Sequence, residues 1–185
     1  MIRRKGIGIV IAGLVMGFAA LPLAAFAAAD TAGLKSFNAQ GVGTGAIASG
    51  NCTTPAIACA GSDVCECLTG TQTIIANQGF NKASFTFALS LDMSTTDLPI
   101  STAGSCFPAT GSGTISNTNG KKTLVMDISG LSCPNADNTA NVFNGTYNVT
   151  SGTGGKTPFA TGTGAINGSL EGTVSRASVN GNVQP

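Results

Sequence analysis

The sequence contains no histidine, no tryptophan and a single tyrosine, and charged residues make up only 9% of it. Without histidine, the usual general base and every Ser–His or Cys–His nucleophile pair are excluded. The sparse charges form no basic stripe, so the electrostatic footprint of nucleic-acid binding is missing. We therefore assign no catalytic residue, no cofactor and no metal, and we expect no nucleic-acid partner.

A basic segment followed by a long apolar run begins the chain. Basic residues occupy positions 3–5, and the apolar run ends at the small-x-small sequence Ala25-Phe26-Ala27. This pattern predicts a cleavable secretory signal peptide over residues 1–27. The alternative is a retained membrane helix, but no basic stop-transfer cluster follows the run. We expect a single mature domain over residues 28–185, secreted or periplasmic in a bacterium, with no membrane span after cleavage.

The cysteines favour disulfide bonds. Their number is even, and all of them follow the predicted cleavage site, as in secreted proteins with a disulfide framework. They are Cys52, Cys59, Cys65, Cys67, Cys106 and Cys133. A metal site is the alternative, because four of them lie close together. The lack of histidine and of repeated C-x-x-C pairs argues against it.

The pairing of the cysteines follows in part from their positions. Cys106 and Cys133 flank a predicted hairpin, whose ends return to neighbouring positions, so we expect them to bond to each other. Cys65 and Cys67 lie in an extended segment, where we expect them to point to opposite faces. They would then take different partners, Cys52 or Cys59, and the connectivity among these four stays open.

Alternation of apolar and polar residues dominates the rest of the chain. In residues 84–93, one face carries only large apolar side chains and the other is mostly polar, as in a half-buried antiparallel strand. Similar runs predict strands over 35–47, 72–76, 113–118, 121–129, 142–150, 160–170 and 172–183. No stretch has a helical apolar period. The fold class predicted is all-β: a single antiparallel barrel of about eight strands or a sandwich, with a disulfide-stapled loop over residues 49–70.

The apolar phases predict the core and a possible ligand cavity. The residues expected to be buried are Phe85, Phe87, Leu89, Leu124, Met126, Ile128, Phe143 and Val149. Glycines at alternate strand positions remove side-chain volume from one face of their strands. If that face is the barrel interior, a cavity bounded by Phe and Leu would remain. The ligand-cavity candidates are Phe85, Phe87, Leu89, Leu91 and Tyr147; Tyr147 we expect to pack in the core with its hydroxyl hydrogen-bonded.

Two local motifs mark hairpins. Asn119-Gly120 between strand-like runs predicts a type I′ turn, which needs positive φ at both central residues. The segment 144–162 resembles a signature of the allene oxide cyclase and dirigent-like barrels and their bacterial relatives. The matching residues are Gly145, Tyr147, Val149, Gly152, Thr153, Gly154, Phe159, Ala160 and Gly162, while Ser151 replaces a glycine and Pro158 belongs to a longer turn. The resemblance implies an eight-stranded barrel with an apolar interior, often oligomeric, but not cyclase activity.

Three functions are compatible with these features. The first is a non-catalytic secreted barrel that binds a small apolar ligand or an envelope partner, and which could form a homo-oligomer. The second is a structural surface or matrix protein. The third is a cyclase- or dirigent-like enzyme that acts by confining a reactive intermediate. A buried carboxylate facing a deep cavity would favour the enzyme, and a filled interior with an apolar outer patch would favour the structural protein.

Overall fold

The computed structural model describes residues 33–53, 56–57, 65–93, 100–101, 104–154 and 159–184. These residues form β-strands joined by turns and loops, and no helix. The strands are β1 Lys35–Ser49, β2 Cys52–Thr53, β3 Ala56–Ile57, β4 Cys65–Ala76, β5 Asn81–Asp92, β6 Ile100–Ser101, β7 Gly104–Ser105, β8 Phe107–Asn117, β9 Thr123–Pro134, β10 Ala140–Thr153, β11 Thr161–Glu171 and β12 Val174–Gln184.

Eight of these strands close into one antiparallel barrel. Their order around the barrel is β1-β12-β11-β10-β9-β8-β5-β4, so each long strand pairs with the next one in the chain. The first strand closes the barrel by pairing with both the last strand and β4. Closure leaves none of these strands with an unpaired edge. The predicted fold is thus confirmed as a barrel rather than a sandwich.

The barrel interior is built from alternate residues of every strand. On β5 the inward positions hold Ala83, Phe85, Phe87, Leu89 and Leu91, and the large side chains on neighbouring strands meet them in a single core. Seven of the eight residues predicted to be buried are buried. The prediction is wrong for Phe87, which is only half-buried.

One end of the barrel is closed by aromatic side chains. The ring of Phe80 packs edge-on against Phe37, at 5.9 Å between centroids, and is stacked on Phe159 at 6.5 Å. The ammonium of Lys122 lies 4.9 Å from the centroids of Phe80 and Phe159 and donates a hydrogen bond to the carbonyl of Gln78. Burial lowers the pKa of Lys122.

The strand β4 is longer than the alternation predicts. Residues 65–70, expected to belong to the stapled loop, are part of it. The apolar signal was weak because Gly70 and Gln72 occupy two of its inward positions, between Leu68 and Ile74. Threonines on the outer face supply the polar half of the pattern.

The described disulfide bonds hold the other end of the barrel. Cys106 bonds to Cys133 with a Cα–Cα distance of 4.2 Å, as predicted from the hairpin. Cys52 bonds to Cys67 with a Cα–Cα distance of 4.9 Å and packs against Ala88. Cys65 is also disulfide-bonded, and Cys59 lies outside the described residues. The expectation that Cys65 and Cys67 face opposite sides is wrong, because residues two apart on a strand share a face.

The hairpin between β8 and β9 is confirmed, but its turn type is not. Gly120 has a φ of 67°, whereas Asn119 is not among the described residues with positive φ. The amide of Gly120 donates to the carbonyl of Asn117, and the amide of Lys122 donates to the Asn117 side chain. A longer loop held by Asn117 therefore replaces the predicted two-residue type I′ turn.

The predicted signal peptide lies outside the described residues. Within the part of the chain that the structure describes, no helix could span a membrane. The disulfide bonds are compatible with an extracellular or periplasmic location.

Candidate functional site

Aromatic rings fill the space that the inward glycines leave. A Cβ atom added to Gly113 would lie 2.6 Å from the Phe85 ring, and one added to Gly145 would lie 2.6 Å from the Phe143 ring. In the same way Phe87 lies against Gly70. These glycines face the interior, as the ligand hypothesis requires. The space beside them is occupied by neighbouring side chains and does not form an open cavity.

A partly open cavity of about 30 Å³ reaches into the interior. Its wall is mainly apolar, and it includes three of the five predicted ligand-cavity residues. The lining residues from β4, β5, β10 and β12 are Leu68, Gln72, Phe85, Phe87, Leu89, Asn141, Phe143, Ser175, Arg176 and Ala177, and β9 and β11 supply the rest. Leu91 and Tyr147 do not line it. This volume exceeds the roughly 10–15 Å³ that one water molecule needs and is well below the roughly 150 Å³ of a cavity that holds benzene, so an organic ligand would need a ring to move.

A buried polar pair borders this cavity. Gln72 is 1% exposed, and its Nε2 donates a hydrogen bond to the Oγ of Ser175 at 2.7 Å. The other amide atom, Oε1, is buried without a hydrogen-bond partner. Sequence reasoning missed this pair. The available signal was a glutamine on the inward phase of β4, directly between Gly70 and Ile74.

Tyr147 is buried against the backbone of glycine residues, and no polar group pairs with its hydroxyl. It is 0% exposed, and its ring packs where Gly164 and Gly181 have no side chains. Its hydroxyl has no hydrogen-bond partner, so the expectation of a satisfied hydroxyl is wrong. Burial raises the pKa of Tyr147 to about 12. The phenol therefore stays protonated at neutral pH.

We predict that the absorbance of the phenolate, which only Tyr147 can produce, titrates near pH 12 in the native protein and near pH 10 in the unfolded chain. The pKa of Tyr147 is higher in the folded protein than in the unfolded chain, so its protonated form contributes to the free energy of unfolding. This contribution is fully present below pH 10 and is lost as pH rises towards 12. The free energy of unfolding should therefore fall by about 1.4 kcal/mol per pH unit across this window.

The matched variant is Tyr147→Phe. In this variant the free energy of unfolding should not show the Tyr147 contribution to the fall between pH 10 and pH 12. Because the variant also lacks an unpaired buried hydroxyl, it should be about 1 kcal/mol more stable than the wild type at neutral pH. A native titration near pH 10 would show that the hydroxyl is solvated instead.

None of the described acidic side chains lines the cavity. Asp127 is exposed, whereas Asp92, on the polar phase of its own strand, is buried. Asp137 belongs to a turn, where it accepts a hydrogen bond from the Thr139 hydroxyl that lowers the pKa of the carboxyl. The cavity lining contains no carboxylate.

The outer wall carries a second feature, which we call the outer patch: Val42, Ile75, Lys82 and Arg176. Ile75 is 72% exposed and Val42 is 53% exposed. In the strand register, Ile75 lies between Lys82 and Gln40, and Val42 lies opposite Arg176. These residues line one shallow groove, whose lining includes no carboxylate. The patch thus combines exposed apolar side chains with two cations.

Comparison with known proteins finds no matching family model, and no curated protein or solved structure that is significantly similar to the chain. The resemblance to allene oxide cyclase and dirigent-like barrels therefore stays a prediction.

Proposed function

We propose that this protein is a secreted, non-catalytic barrel that binds another protein of the bacterial envelope or its surroundings through the outer patch. The observation that carries the proposal is the exposure of Ile75 and Val42 between two cations on one wall. Exposed apolar side chains that lie together, rather than singly, are typical of interaction sites. The nearly filled interior supports an outward-facing role, because its cavity of about 30 Å³ is well below the roughly 150 Å³ of a cavity that holds benzene.

The chemistry of the patch defines the partner. An apolar side chain of the partner would cover Ile75 and Val42, and a carboxylate beside it would meet Lys82 and Arg176. Arg176 is available for this, because its only described carboxylate contact is to Glu171, at 3.9 Å between two exposed side chains. Such surface pairs are weak and exchange readily. The proposed partner surface is therefore acidic and apolar.

A second copy of the chain fits this patch less well. In a two-fold symmetric contact the same surface is used by both copies. Lys82 and Arg176 of one copy would then lie near Lys82 and Arg176 of the other. Like charges brought together across an interface are unfavourable. Homo-oligomerisation through this wall is therefore an alternative outcome of the experiment below.

A photo-crosslinking residue at position 75 tests the proposal in the native host. We expect it to link the protein to one other polypeptide, while the same residue at Ser129, exposed on the opposite strand β9, does not. The identified polypeptide, once purified, should bind about tenfold more weakly to the Lys82→Glu/Arg176→Glu variant. Asp127→Lys, a charge change on β9, should leave the affinity unchanged.

The salt dependence of binding is the second measurement. Attraction between exposed charges is screened within about 10 Å at 0.1 M salt, so the wild-type affinity should fall as salt rises and the double variant should respond less. Crosslinks only to other copies of the chain, or an affinity that the double variant does not change, would contradict the proposal.

One observation favours a second candidate function, the binding of a small apolar molecule inside the barrel. Phe87 lines the cavity yet is only half-buried, so a rotation of its ring would enlarge the interior space. Binding of a fluorescent apolar probe by the native protein would support this function. The enzyme alternative has less support, because a buried carboxylate facing a deep cavity would favour it and no carboxylate is among the described residues that line the cavity.

A further inference from the structure

We propose that the interior cavity is a binding site for a single water molecule, held by the side-chain amide of Gln72. This inference does not rest on the proposed function, since it depends on the Gln72 amide and not on a partner protein. It starts from the buried amide, of which Nε2 is bonded to Ser175 while Oε1 has no partner. Gln72 lines the cavity, whose volume of about 30 Å³ exceeds the roughly 10–15 Å³ that one water molecule needs.

The energetics favour an occupied site. A buried polar atom that lacks a hydrogen bond costs on the order of 1–3 kcal/mol, because folding removes its bond to solvent. A water molecule that donates to Oε1 restores that bond without any movement of the barrel. Immobilising a water costs at most about 2 kcal/mol and often much less.

Water fits this site better than an apolar or charged occupant. Exchanging the two ends of the Gln72 amide would bond Oε1 to the Ser175 hydroxyl and leave Nε2 unpaired, and water can accept as well as donate. An apolar occupant would pair with neither amide atom. A metal ion is disfavoured, because no carboxylate lines the cavity.

Further partners for the water are present in the same wall. Ser132 and Ser175 are 2% and 3% exposed, and both line the cavity with Gln72. Internal waters usually make about three hydrogen bonds to otherwise buried polar groups. The amide and the two hydroxyl-bearing side chains supply that number of candidate groups.

Oxygen-17 relaxation dispersion counts long-lived internal waters and tests the site in solution. We expect the Gln72→Met variant, which keeps the chain length but removes the amide, to lose the amplitude of one long-lived water. The control is Gln40→Met, because Gln40 is exposed on the outer face of β1. It should keep the wild-type amplitude.

A crystal structure of the wild-type protein provides the second test and does not depend on a variant that folds. Electron density for one water within about 2.7–3.2 Å of a Gln72 amide atom would support the proposal. A cavity without such density, or an equal dispersion amplitude in the wild type and in Gln72→Met, would overturn it.

Discussion

Replacing Phe85 with alanine should lower the free energy of unfolding by about 3–5 kcal/mol, the usual cost of removing a fully enclosed phenylalanine. The side chain is 1% exposed, and its ring lies 5.5 Å from the ring of Phe87 and against the bare backbone of Gly113. Because Gly113 has no side chain that could fill the hole, the cavity should persist. Urea unfolding with the disulfides intact measures this change.

Phe87→Ala is the matched control for this substitution. It removes the same atoms two positions along the same strand, but from a side chain that is half-buried. Less apolar area returns to water in the native state, so the expected cost is about 2 kcal/mol. An equal or larger loss in Phe87→Ala than in Phe85→Ala would show that the burial assigned to the two rings is wrong.

The alternation of apolar and polar residues was sufficient to predict the barrel, because most of its strands have one solvent-exposed face and one buried face. The run from Phe143 to Thr150 illustrates this, since its inward Phe, Tyr and Val side chains are buried and its Asn and Thr side chains on the other face are exposed. The signal failed on the first half of β4, where Gly70 and Gln72 face inward. A strand whose inner positions make room for side chains of its neighbours has no apolar period of its own.

The candidate sites were less predictable, because they depend on contacts between distant segments. Gln72 and Ser175 are 103 positions apart, and only the closure of the barrel brings them together. The outer patch depends on register: Ile75 adjoins Lys82 because β4 and β5 pair at those residues. A one-residue shift would turn these side chains inward, and the sequence pattern does not define register that finely.

The inward glycines show how a local pattern can be correct while its interpretation is incomplete. Their alternate spacing correctly indicated that they share one face of each strand. Whether that face encloses a ligand depends on the sizes of residues on the neighbouring strands. Gly164 pairs with Tyr147 on one side and Gly181 on the other, so the phenol ring covers two glycines at once. The volume that these glycines leave is therefore filled by a side chain of the neighbouring strand and not left for a ligand.

Gly164→Ala should destabilise the barrel by at least about 3 kcal/mol, at the upper end of the cost of overpacking a core. The added methyl group would lie 2.6 Å from the Cα of Gly181 and 2.7 Å from the Tyr147 ring, and it would also meet the carbonyl oxygen of Asn180. The backbone atoms are fixed by the pairing of β11 with β12, so relief requires the two strands to separate. Thermal or urea unfolding measures the loss.

Gly168→Ala separates this steric effect from the general effect of adding a methyl group to the strand. Gly168 is on the same inward face of β11, but its nearest contacts would be the carbonyl oxygen of Arg176 at 3.0 Å and the Cβ of Ala177 at 3.9 Å. It also borders the cavity. Alanine restricts the unfolded chain more than glycine does, which offsets the mild crowding, so stability should change by no more than about 1 kcal/mol. Similar losses in the two variants would mean that the Tyr147 ring and the backbone of β12 do not lie as close to Gly164 as the structure places them.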